Sequence, residues 1–217
     1  MKRLLLVIAI AMCFSLSSNA QFNVNGEQTI LTPKEKEDIP AVLQGIQYKK
    51  YLTKDYKAAF VDDIKDQAFL RYNIFEDEME FVKGNQIYYV KKDVGRTVRF
   101  TNNLTYEVFE VEGELSYFLV QTEGENILLT KQIVKYVDAL EPNSGYDRGR
   151  PADYKRKKDE FYLSTKNGIT KLPTKKKKLL EFFGAKSSKI KTFLKKNRLG
   201  YKKAEDLKEI VNYYNTL

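Results

Sequence analysis

Leu104-Thr105-Tyr106-Glu107-Val108-Phe109-Glu110-Val111-Glu112-Gly113-Glu114-Leu115-Ser116-Tyr117-Phe118-Leu119-Val120-Gln121 is the stretch that decides the fold. Leu104, Tyr106 and Val108 alternate with Thr105, Glu107 and Phe109. That two-residue period puts successive side chains on opposite faces of a strand. Glu112-Gly113-Glu114 supplies a turn, and residues 115–121 return. Outward from this hairpin the pattern repeats. Glu123-Gly124-Glu125-Asn126 turns again before Ile127-Leu128-Leu129. On the other side lie Thr97-Val98-Arg99-Phe100, residues 86–90, residues 78–82 with Met79 and Phe81 on one face, residues 69–75, and Ala59-Phe60-Val61. Gly84-Asn85 marks a tight turn between two of them. Short strands at this spacing predict an antiparallel meander. Phe161-Tyr162-Leu163 and Ile169-Thr170-Lys171-Leu172, flanking Lys166-Asn167-Gly168, read as a further hairpin.

After Pro173 the period changes to that of a helix. Leu179, Leu180, Phe182 and Phe183 share an apolar face, and Gly184 stands at a helix C-terminus. Ser187 is positioned to cap a second helix with the face Ile190, Phe193 and Leu194. Leu207, Ile210, Val211 and Tyr214 mark a third. The expected fold class is α+β: an antiparallel β-meander followed by a small C-terminal three-helix cluster. Phe182, Phe183, Ile190, Phe193, Leu207 and Val211 are expected to form one buried group.

The chain has 217 residues, 38 basic and 29 acidic. Residues 1–20 read as a secretory signal: Lys2 and Arg3, an apolar run from Leu4 to Met12 too short to span a bilayer, then the small-x-small site Ser18-Asn19-Ala20. Cleavage after Ala20 delivers a periplasmic or extracellular protein. The rival reading, a lipid anchor on Cys13, suits Ile10-Ala11 but places bulky Met12 where a small residue belongs. Cys13 is the only cysteine, and the chain has no His and no Trp. The mature chain therefore excludes disulfides, thiolate or imidazole metal sites, cysteine nucleophiles and Ser-His-Asp triads. It has no Gly-rich phosphate loop, nucleotide fingerprint or nucleophile elbow, so neither a cofactor nor a metal is expected.

Charge divides the mature chain. Residues 21–40 are polar, with two prolines, and read as poorly ordered. Residues 41–147 form an acidic β region, and residues 148–217 a basic region with hairpin and helices. Residues 21–147 hold 15 basic and 22 acidic side chains, whereas residues 148–217 hold 21 and 7. The stretch 141–151, with two Pro and two Gly, reads as a loop between them. Either the two parts attract each other, or the basic part faces an anionic partner.

Two groups of residues are candidates for chemistry. Glu76, Asp77, Glu78 and Glu80 lie within five positions. On a strand, alternate carboxylates stand about 6.6 Å apart, a spacing compatible with acid/base hydrolysis of glycans. The same spacing suits the solvated face of a strand whose other face is buried, which is the favoured reading. The second group is basic. Lys175, Lys176, Lys177 and Lys178 open a helix, and Lys189, Lys195 and Lys196 follow on the next, together a candidate anion-binding surface. Cations at a helix start oppose the helix dipole. Lys155-Arg156-Lys157-Lys158 is a further basic run, and an ordinary solvated lysine surface is the alternative for all of them. Tyr88-Tyr89 could stack on sugars or bases, although such pairs more often divide between core and surface.

The run 48–62, Leu70-Arg71-Tyr72-Asn73 with the acidic segment, Met79-Glu80-Phe81, residues 190–197, Glu205-Asp206-Leu207 and Tyr213-Tyr214-Asn215 together resemble small secreted proteins common in the Bacteroidota. The resemblance covers most of the mature chain. It implies an envelope location and brings no catalytic residues. The leading expectation is an exported, non-enzymatic envelope protein binding anionic lipid head groups or another envelope protein. A carboxylate-dependent hydrolase is the alternative. Nucleic acid fits the charge but not the compartment. Mass analysis of the exported form should find Gln21 at its N-terminus; a lipid on Cys13 would replace cleavage with anchoring.

Overall fold

The computed structural model describes residues 21–24, 27–34, 39, 41–62, 66–83, 86–142 and 148–217; the expected signal at 1–20 and the turn Gly84-Asn85 lie outside them. Fourteen strands and three helices longer than one turn form the described chain. The strands are β1 (Gln21–Val24), β2 (Glu27–Pro33), β3 (Lys57–Val61), β4 (Ala68–Asn73), β5 (Glu78–Lys83), β6 (Gln86–Val90) and β7 (Thr97–Phe100). Then come β8 (Thr105–Val111), β9 (Glu114–Val120), β10 (Ile127–Lys131), β11 (Val134–Val137), β12 (Asp153–Arg156), β13 (Glu160–Thr165) and β14 (Gly168–Lys171). The helices are the single turn α1 (Ala41–Gln44), then α2 (Lys176–Phe182), α3 (Ser187–Lys196) and α4 (Ala204–Asn215). The α+β class holds.

Twelve strands make one antiparallel sheet, ordered β1-β2-β6-β5-β4-β3-β7-β8-β9-β10-β13-β14, and β11 pairs with β12 alone. The meander read from the sequence is its centre. Along β8, Tyr106 and Val108 are buried and alternate with less buried neighbours, as the period requires. Residues 21–40, read as poorly ordered, contribute β1 and β2, and β2 pairs with β6 from Leu31↔Val90 to Pro33↔Tyr88. β12 had no clear signal, because Asp153-Tyr154-Lys155-Arg156 offers only one apolar side chain, and its partner β11 was not read as a strand.

The sheet curls on itself. Neighbouring strands lie about 4.8 Å apart, so β4 and β9, four steps apart, would stand about 19 Å apart in a flat sheet. Yet the rings of Tyr72 on β4 and Tyr117 on β9 have centroids 6.0 Å apart, and Tyr72 and Tyr106 on β8 only 4.9 Å. The enclosed core holds Leu70, Tyr72, Met79, Val98, Tyr106 and Tyr117, all essentially inaccessible to solvent.

A second core forms where the helices cover one face of β10 and β13 and the residue that follows β14, Leu172. Leu128 and Leu163, register partners, meet Leu172, Leu179, Phe183, Ile190, Leu194, Leu207, Ile210 and Val211. The helices are short and depend on this packing. Gly184 follows α2 with φ +50°, the left-handed geometry expected at a helix end. Ser187 does not cap α3. It is the first helical residue, and no side-chain cap bond forms, because a 3₁₀ turn over Gly184–Lys186 leads directly into the helix. Asn215 at the end of α4 clasps the β9–β10 turn. Its side chain bonds the Asn126 backbone N–H at 3.0 Å, the Asn126 carbonyl at 2.9 Å and the Glu123 carbonyl at 3.2 Å. Gly124 in that turn has φ +110°, and a Cβ there would meet the Asn215 amide at 2.8 Å.

The expected buried group is corrected at two positions. Phe182 is only half-buried against the helical core. Phe193 lies on the flank of α3, stacked on Tyr213 with centroids 4.1 Å apart and an interplanar angle of 8°. One position later on the helix, Leu194 points inward instead. Leu194→Ala should therefore cost about 2–5 kcal/mol. Phe193→Ala should cost only about 1 kcal/mol beyond its lost area, the order of an aromatic pair. Urea melts of the two variants should rank Leu194→Ala as the less stable; the reverse order would place Phe193 in the core.

Candidate functional site

The acidic segment is not a solvated face. In β4–β5 register, Arg71 opposes Glu80 and Asn73 opposes Glu78, while Tyr89 on β6 also opposes Glu80, so these polar side chains share the outer face of the curl. Residues 46–56 fold back over that face. Tyr51 forms a bridge with Asn73, and the Arg71 guanidinium carbon lies 3.6 Å from the Tyr51 ring centroid and 4.4 Å from that of Tyr56. Glu80 is completely buried as a result. Its Oε2 takes a 2.8 Å bond from Arg71, and its Oε1 accepts from Asn73 at 3.1 Å and Tyr51 at 3.3 Å.

The four carboxylates divide into two pairs, each bridged by a lysine. Lys34 lies 2.8 Å from Glu76 and 3.5 Å from Glu80. Lys50, a buried lysine, donates to Glu76 at 3.1 Å, and the Tyr89 hydroxyl does so at 2.6 Å. Lys92 lies 3.4 Å from Asp77 and 3.1 Å from Glu78. Asp77 sits at φ +58° in the β4–β5 turn. It also receives the Tyr72 hydroxyl at 2.6 Å, Lys131 at 2.7 Å and the Tyr117 backbone N–H at 3.3 Å.

Electrostatics follow the geometry. Burial alone would raise Glu76, but the hydrogen bonds from Lys34 and Tyr89 and the charge of Lys34 outweigh it and hold the carboxyl down at about 2. Burial lifts Glu78 above its ordinary value, with Lys92 opposing. Burial likewise lowers Lys131, with Asp77 opposing. A hydrolase of the expected kind needs a protonated carboxyl beside an ionised one with room for a sugar and water. Here lysine and arginine side chains contact all four carboxylates, and Glu76 is held ionised. Among the described residues no three His, Cys, Asp or Glu side chains converge as a metal site would need. Tyr88 packs against the core, and the Lys34 ammonium stands over the Tyr89 ring, 5.3 Å from its centroid. Lys34, Lys50, Arg71, Lys92 and Lys131, the cations that complete the network, are spread over five separate stretches of sequence, and no local motif marked them.

The basic candidates are arranged differently. Lys175, Lys176, Lys177, Lys178, Lys189, Lys195 and Lys196 are all exposed. Lys175–Lys178 do open a helix, but α2 has only seven residues. Lys177 approaches Glu181 at 4.0 Å, on the same helix. The structure does not gather all seven into one site. Lys175 alone among them lines an open groove of about 1090 Å³, where it joins Lys158, Lys171, Lys202 and Lys203. The Lys155–Lys158 run was visible in the sequence. The approach of Lys202 and Lys203 was not, because it depends on how the start of α4 packs beside β13 and the segment after β14.

No family model, no curated protein and no solved structure matches the chain.

The Glu76 shift sets a pH dependence. A carboxyl at about 2 in the fold and 4.5 when free contributes its full stabilisation above pH 4.5 and loses it as the pH falls toward 2. Allowing for solvent screening, the contribution at neutral pH is roughly 1–2 kcal/mol. Glu76→Gln should be less stable than wild type at pH 7, and the gap should narrow in urea melts taken below pH 4. A gap that stays constant with pH would mean Glu76 titrates normally.

Proposed function

We propose that the chain is an exported, non-enzymatic binding protein of the cell envelope whose basic C-terminal part receives an anionic partner. One observation carries this reading: where the acidic groups of the β region find their cations. Glu76, Asp77, Glu78 and Glu80 are paired with Lys34, Lys50, Arg71, Lys92 and Lys131, all from the same region. Asp62 is likewise paired with Arg96 at 3.2 Å. Among the described residues, no lysine or arginine of 148–217 pairs with an acid of 21–142. The ion pair that crosses the boundary, Lys49 with Asp153 at 2.6 Å, runs in the opposite sense. The attraction between halves that would have absorbed the C-terminal charge is therefore not what the lysines do. Fourteen net positive charges stay available to something else.

Surface charge of this kind acts over a Debye length, about 30 Å at 0.01 M salt and about 3 Å at 1 M. The protein should co-sediment with anionic phosphatidylglycerol vesicles or bind polygalacturonate at low salt, and release both at high salt. It should ignore phosphatidylcholine vesicles and neutral dextran under the same conditions. Failure to bind either anionic probe at low salt would end this reading.

A further inference from the structure

We infer that the groove between the β13–β14 hairpin and the start of α4 is a binding site for an acidic polysaccharide chain. This rests on the reading of the C-terminal part as anion-binding and gives that part a location and a ligand class. The first argument is the local charge balance. Three acids line the groove, Asp159, Glu160 and Glu205. Two of them are engaged: Arg156 reaches Asp159 at 2.5 Å, and Lys171 reaches Glu160 at 2.6 Å. The Tyr162 hydroxyl also donates to Glu160 at 3.2 Å. Lys158, Lys175, Lys202 and Lys203 are exposed, and among the described residues none of the four has an ion-pair partner. Four exposed lysines thus line one groove, with Glu205 the one lining acid that no ion pair engages among the described residues.

The shape narrows the ligand. A volume of about 1090 Å³ stands at the upper end of the range for ligand pockets, about 300–1,000 Å³. The groove is open, and it suits a chain laid along it better than a single small anion. A flat lipid surface would meet the outward lysines of α2 and α3 but would not enter a concavity. The lining beneath the lysines is apolar: Phe161, Leu172, Pro173, Tyr201 and Leu207. Phe161, Pro173 and Tyr201 keep part of their surface accessible, and the Lys202 ammonium stands 5.6 Å from the Tyr201 ring centroid. Ring faces beside cations suit a ligand that carries C–H faces and anionic groups on the same units, as uronic acid sugars do.

An acidic peptide fits less well. A peptide adding to a sheet edge takes main-chain hydrogen bonds from the receiving strand. At Leu172 the N–H is already given to the Phe161 carbonyl at 2.8 Å, and Pro173 has none. These two positions of the wall therefore offer no main-chain donor to an added strand.

Polygalacturonate is the probe, and two charge-matched variants are the test. One carries Lys158→Gln, Lys175→Gln, Lys202→Gln and Lys203→Gln, emptying the groove of its unpaired cations. The other carries Lys176→Gln, Lys189→Gln, Lys195→Gln and Lys196→Gln, removing equal charge outside it. All eight side chains are exposed, so both variants should melt as the wild type does. The groove variant should bind roughly ten- to hundredfold more weakly, the order of four exposed ion pairs lost. The outer variant should stay close to wild type. Equal losses in both would overturn the groove while leaving a diffuse anion-binding surface intact. Polyglutamate binding as tightly as polygalacturonate, with the same dependence on the groove lysines, would overturn the polysaccharide assignment. Wild-type binding to phosphatidylglycerol vesicles but not to polygalacturonate would overturn the groove in favour of a flat membrane contact. Binding to neither would fail both readings together.

Discussion

Asp77 holds the curl of the sheet. It occupies the turn between β4 and β5 in the left-handed region, a conformation that costs a non-glycine residue about 1–2 kcal/mol. Its two oxygens collect a tyrosine hydroxyl from β4, a backbone N–H from β9 and an ammonium from β10. In sheet order β4 lies four steps from β9 and five from β10, so one carboxylate closes the curl from within. The aromatic contacts among Tyr72, Tyr106 and Tyr117 fill the space that closure creates. Lys131 accepts partial burial, and a lowered affinity for its proton, to reach this carboxylate.

The outer face of the same turn obeys a related constraint. Arg71 and Glu80 are covered by residues 46–56, and taking charges out of water is costly unless every lone pair and donor is met. Glu80 meets that condition through Arg71, Asn73 and Tyr51. Arg71 meets it incompletely: its Nε is buried without a hydrogen-bond partner, and the tyrosine rings against the guanidinium offset part of that cost. Among the described residues, no ion pair joins the basic helices to an acid of the β region. Those are attached instead by apolar packing and by the amide clasp of Asn215.

Much of this was legible in the sequence. Period-two alternation from residue 57 to 131 located eight consecutive strands, since β3 to β9 each set one face against the inner core and β10 sets Leu128 into the helical one. The helical period after Pro173 located α2, α3 and α4 for the same reason. Two features were not local. A polar strand face reads as solvated because alternation reports only which side chains differ, and the cover over Arg71 and Glu80 comes from residues about twenty positions earlier. Phe193 and Leu194 are adjacent on one helix, and only the position of β10 and α4 decides which turns inward. Of the candidate sites, the acidic run and the basic runs were visible as composition. The pairing of the first, and the convergence of Lys158, Lys175, Lys202 and Lys203, arise from packing between elements.

The single sheet that carries both cores has a consequence for how such a protein can change over generations. β10 belongs by sequence to the acidic part, yet Leu128 supplies the floor of the helical core and its backbone pairs with β13. In the other direction, Tyr154 of β12 lies in the inner core. The basic portion is therefore not a cassette that recombination could lift out after Leu140 and join to another scaffold. A transplant would leave Leu163, Ile190 and Ile210 without the strand they pack on. Diversification of the groove must proceed by point substitution at its rim, where the lysines are exposed and the supporting core is indifferent to them.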